Sequence, residues 1–167
     1  MNHHTTRPSW GRLLLALLAA SGVAVVVPLL LATAALSRGF TDPGAVFAMA
    51  FAPIGIPIAA VFALPLAIAV RTGLLPAKPL WMAAGGLATA LAYLFAGGWA
   101  ARHHPGELLE LLVYPASSAL LALHGPHRLE MTPNETFDFW LFRAFLVGIP
   151  LGGLLGGLTL GRIARSS

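Results

Sequence analysis

Four stretches of this chain run for roughly the depth of a bilayer without a charged side chain: Leu13 to Ser37, Pro43 to Val70, Pro79 to Ala101 and Ala144 to Gly161. A helix needs about 20 mostly apolar residues to cross the hydrocarbon core, and each run meets that length, the last with an aromatic lead-in from Phe139. Lipid offers backbone N–H and C=O groups no partner, so segments of this kind must satisfy themselves as helices. The chain therefore reads as all-α: a polytopic membrane protein, a bundle of four transmembrane helices. Composition agrees, since 57% hydrophobic and 10% charged residues lie outside the range of a soluble domain. The divisions are a tail at 1–12, spans at 13–37, 43–70, 79–101 and 139–161, an outer segment at 102–138, and a tail at 162–167.

Orientation follows from the cations. With the N-terminus cytoplasmic, the inside segments hold Arg7, Arg12, Arg71, Lys78, Arg162 and Arg165, and the outside holds Arg38, Arg102, Arg128 and Arg143. That excess favours both termini inside. The acids, Asp42, Glu107, Glu110, Glu130, Glu135 and Asp138, all fall outside. Trp10 and Trp81 mark the inner interface, Trp99 and Trp140 the outer one. Nine arginines against one lysine, in a chain rich in Ala, Gly and Pro, indicate a GC-rich bacterial source and hence a bacterial inner membrane. Arg7 and Arg12 before an apolar run ending in Ala32-Thr33-Ala34 also suggest a signal peptide, but the run is too long for a usual apolar core, so it is read as a span. The net charge of +4 does not point to nucleic acid, because no basic cluster is interleaved with aromatics.

The last span is organised by glycine. Gly148, Gly152 and Gly156 form one four-spaced row, and Gly153, Gly157 and Gly161 a second. In lipid, small residues at this spacing let another backbone approach closely. Other helices carry such rows too: Ala16, Ala20, Ala24, Pro28 and Ala32 in the first, Gly55, Ala59, Ala63 and Ala67 in the second, and Ala84, Ala88, Ala92, Ala96 and Ala100 in the third. The row through Ala88, Ala92 and Ala96 is expected to lie against the glycines of the last helix.

The second span contains Pro53, Pro57 and Pro65. Each proline deletes a donor, so the carbonyls of Met49, Pro53 and Val61 lose their helical partners. Broken helices of this kind build transporter sites, which makes Pro53, Gly55 and Pro57, with Arg143 near the outer boundary, a candidate ligand site. The competing expectation is a kink whose carbonyls are satisfied by neighbouring helices, with Arg143 snorkelling to the interface.

In the outer segment, Glu107, Glu110, Tyr114 and Ser117 share one face of an amphipathic helix over about 106–123, interrupted at Pro115 and expected to lie at the outer interface or to dip into the membrane. His103, His104, His124 and His127 flank it and are the candidate metal ligands. An unbroken helix between the two pairs would hold them about 27 Å apart, so only a fold at Pro115 or a second protomer would join them. Thr132-Pro133-Asn134-Glu135 is a capping box that starts the last helix before the membrane.

No Asp, Glu, Lys or His lies within the spans. Ion-coupled pumps place such groups inside the bundle, and nucleophilic catalysis needs a base beside its nucleophile. The chain has no cysteine. Ser21, Thr33, Thr89, Tyr93 and Thr159 are expected to hydrogen-bond across helices. The sequence thus points away from an enzyme and from a cofactor. It points to a non-catalytic subunit or self-associating scaffold, partnered by the lipid bilayer and by a second copy or another membrane protein. The alternatives are a small transporter or channel at the second span and a metal-binding protein on the periplasmic side.

Overall fold

A computed structural model describes residues 8–36, 43–103, 114–116, 118–120 and 133–165. Four long helices account for nearly all of them: α1 (Trp10–Leu36), α2 (Pro43–Thr72), α3 (Pro79–His103) and α4 (Pro133–Arg165). Each contains a segment long and apolar enough to cross a membrane, and the described residues include no strand. The protein is an all-α, multi-pass membrane protein.

Local chemistry sets the helix ends. Ser9 caps α1, its hydroxyl accepting the Arg12 amide at 3.4 Å while its carbonyl accepts the Leu13 amide at 3.0 Å. Gly73 ends α2 in the left-handed region at φ 80°, which a residue with a Cβ rarely adopts, and Leu75 N–H then donates to Ala69 O at 3.1 Å. Pro79 opens α3 and Pro133 opens α4, at the first helical position where the missing N–H costs nothing. The expected break in the second span is not seen: α2 is continuous through Pro53, Pro57 and Pro65.

The α4 helix is the hub. It packs extensively on α1 and α3, while among the described residues α2 packs on α1, lies lightly on α3 and has little contact with α4. Two cores result. At the end where α1 begins and α4 finishes, Leu13, Leu17, Leu66, Val70, Met82 and Leu160 close together. At the other end the core is Ala32, Leu94, Leu141, Phe145 and Ile149, joined by Ala116 and Ala119. These last two are fully buried, so the described part of the outer segment is packed into the bundle. The rest of the expected amphipathic helix, with Glu107 and Glu110, lies outside the described residues.

Candidate functional site

The two glycine rows of α4 face two different helices. A Cβ at Gly148 would stand 2.6 Å from Pro28 Cα and one at Gly156 2.7 Å from Ala20 O, while one at Gly152 would meet Ala24 O. The first row therefore runs antiparallel along the small row of α1, one turn against one turn. The second row lies on α3: a Cβ at Gly153 would stand 2.5 Å from Gly86 O, Gly157 lies under the Met82 carbonyl, and Gly161 is covered by the Met82 side chain. Without glycine neither helix could come so near. Close backbone contact replaces the hydrophobic effect as the source of cohesion where both surfaces are equally apolar.

The alanine row of α3 is not part of this contact. Ala84, Ala88, Ala92 and Ala96 are exposed on the outer face, and α3 meets α4 through Met82, Gly86 and Ala90. The two rows differ by only two positions, yet on a helix that turns the alanines away from the partner. Gly86 decides the matter, because at its position only a residue without a Cβ fits beneath Gly153 and Gly157.

Between the two cores the bundle is hollow. A cavity of about 110 Å³ lies where α2 stands off from α4. Gly55, Ala59 and Phe62 of α2 face Gly153, Gly156 and Phe145 of α4 across it. Toward the ends of this space α4 presents Phe145, Ile149 and Leu160, and in the middle only Gly153, Gly156 and Gly157, which have no side chain to reach α2. Of the candidate ligand residues, only Gly55 lines this space, and a Cβ there would stand 3.1 Å from Val25 Cγ1. Pro53 and Pro57 are exposed on the opposite face of α2, and Arg143 is exposed on α4, so the structure does not bring those three to Gly55. Their expected grouping fails because 53 and 57 fall one turn apart on a face that 55 does not share.

The cavity wall is apolar except for Ser21, Thr89 and Tyr93. Ser21 donates to Leu17 O and Thr89 to Gly86 O, each at 2.8 Å, within their own helices. Thr33 and Thr159 likewise donate to Leu29 O and Leu155 O at 2.8 and 2.9 Å. The expected bonds between helices are absent from these four, since a hydroxyl in a helix reaches its own carbonyl a turn back at no cost in order. Tyr93 is held by the Ala116 backbone and packs edge-on against Phe62 at 5.4 Å. No described buried side-chain polar atom lacks a partner.

Of the four candidate metal-ligand histidines, His104, His124 and His127 lie outside the described residues. His103 is exposed at the end of α3, stacked on Trp99 at 4.9 Å with its Nδ1 2.9 Å from Trp99 O. Proton donation from Nδ1 leaves Nε2 as the ring's acceptor.

The pairing of the α4 rows with α1 and α3 was legible only as a tendency to pack, and the cavity left no sequence signal. It is bordered by Gly153 and Gly156, positions that a search for chemical groups passes over. No family model, curated protein or solved structure matches the chain.

Proposed function

We propose that this is a non-catalytic membrane protein that holds a small apolar ligand, the end of a lipid or isoprenoid chain, in the cavity between α2 and α4. The observation behind this reading is the state of the wall: every hydroxyl on it already has a hydrogen-bond partner. A water molecule needs two to four polar partners, so the space favours staying dry, and engineered cavities of about 150 Å³ with apolar walls bind benzene or xenon. An ion or polar solute would have nothing to replace its hydration. The site keeps the position of the expected transporter site at Gly55 and changes its chemistry from polar to apolar. The side between α2 and α3, the most lightly packed of the adjoining helix pairs, is the natural entrance from lipid.

The test is native mass spectrometry of protein gently extracted from its host, followed by titration with a graded series of n-alkanols. Ala59→Phe fills the cavity from α2 and should abolish retention of an apolar molecule while leaving the helical content unchanged. If neither a co-purified molecule nor any alkanol binds the wild-type chain, this function is wrong.

Assembly through small-residue faces is the second reading, and one observation favours it. After the glycines are consumed within the bundle, Ala84, Ala88, Ala92 and Ala96 still present a smooth outward face. An inner-membrane location with both termini cytoplasmic belongs to the proposal as well. It is supported by the gathering of Arg12, Arg71, Lys78, Arg162 and Arg165 at one end of the bundle.

A further inference from the structure

The basic end of the bundle does not use all its cations in the same way. Arg12 Nε donates to Ile163 O at 3.0 Å, tying α1 to α4. Arg71 donates to the Pro8 carbonyl and sits 3.9 Å above the Trp10 ring, tying α2 to the start of α1. These two guanidinium groups hold helix ends together. Arg162 and Arg165 do something else. They stand three residues apart on one face of α4, both exposed, and with Leu158 and Pro79 they line a groove on the outside of the α3–α4 junction. Arg165 Nε donates back to Gly161 O at 3.3 Å, which fixes its stem and leaves its two terminal amino groups to the groove.

Among the described residues the acids are Glu135 and Asp138, in the first two turns of α4 and 24 or more residues from Arg162, about 36 Å along the helix. Directly below the arginines the groove turns apolar: Leu158 is one turn down from Arg162, and Leu154 and Leu151 continue the descent on α4. A cationic fork above an apolar track, at the boundary of a membrane-spanning helix, is the shape of an anionic phospholipid.

We propose that Arg162 and Arg165 form a site for a phosphate-bearing anionic group, the headgroup of an acidic phospholipid whose chains lie along Leu158 and Leu154. Guanidinium groups bind phosphate oxygens in pairs with charge-assisted hydrogen bonds, and a cation near the membrane surface adds to the attraction of acidic lipid. The site is on the outer surface of the bundle, apart from the cavity, and stands or falls independently of it.

The experiment titrates the purified full-length protein, in zwitterionic detergent, with phosphatidylglycerol, phosphatidylcholine or inorganic phosphate, reading bound lipid by native mass spectrometry. Phosphatidylglycerol should bind saturably at one equivalent and far more tightly than phosphatidylcholine. The double variant R162Q/R165Q should weaken it by about 10- to 30-fold, at about one surface cation's worth of attraction for each lost charge. Arg162→Lys should lose only part of that, because the charge stays and the paired geometry goes. Arg143→Gln, at the other end of α4, should leave it unchanged. Equal retention of the two lipids, or unaltered phosphatidylglycerol affinity in the double variant, would overturn the site. Inorganic phosphate binding as tightly as phosphatidylglycerol would overturn the lipid as its occupant.

Discussion

Glycine in this chain has two quite different meanings, and the neighbours of each residue separate them. At Gly152 and Gly157 an added side chain meets the backbone of the facing helix, Ala24 O in one case and Met82 O in the other. Backbone cannot rotate aside, so the helices must separate. Gly152→Leu or Gly157→Leu should cost at least about 1–3 kcal/mol, the usual penalty of overpacking, measured by unfolding in mixed micelles. At Gly22, on α1, nothing lies within 4 Å of a new Cβ. Gly22→Ala should therefore be neutral or stabilise by up to about 1 kcal/mol, through helix propensity alone. At Gly85 the obstacle is Leu66 Cδ1, the end of a flexible side chain, so alanine there should be tolerated better than at Gly157. Spacing told that some of these glycines were interfacial. It put Gly152 in a row and Gly22 in none, but it did not say which helix each row meets, because that depends on another helix.

Among the elements, α2 and α3 are the ones whose orientation departs from the sequence expectation. On α2 the four-spaced positions Pro53, Pro57, Val61 and Pro65 are all exposed, while Gly55, Ala59 and Ala63 face inward. A proline ring pushes against the carbonyl one turn back and favours a bend away from the ring, so prolines on the outer face favour an α2 whose concave side is toward the bundle. Pro53→Ala with Pro57→Ala should straighten α2, reduce the hollow and lower retention of apolar ligands several-fold in the same mass-spectrometric assay. On α3 the test is Ala92→Leu. In a lone protomer a substitution on an outward face falls within about 0.5 kcal/mol of neutral, whereas in an assembly built on the alanine row it breaks the interface.

For the whole molecule, the native mass after gentle extraction decides between the two readings. A single protomer that carries a small apolar molecule supports the cavity; a defined oligomer that dissociates on Ala92→Leu supports assembly. Orientation is checked by fusing reporters to the C-terminus: a fluorescent protein should mature there and a periplasmic phosphatase should stay inactive. The sequence alone was enough for the class of protein and the number of spans, because bilayer thickness and backbone satisfaction act on each segment separately. It also marked the start of α4 at Pro133, since caps are local chemistry. Which small-residue rows meet was decided only by tertiary structure. In lipid every face of these helices is equally apolar, so hydrophobicity gives no direction and partners are chosen by shape. Gly86 fitting beneath Gly153 and Gly157 turned Ala88, Ala92 and Ala96 outward, and α2, with little contact on α4, closed over a hollow.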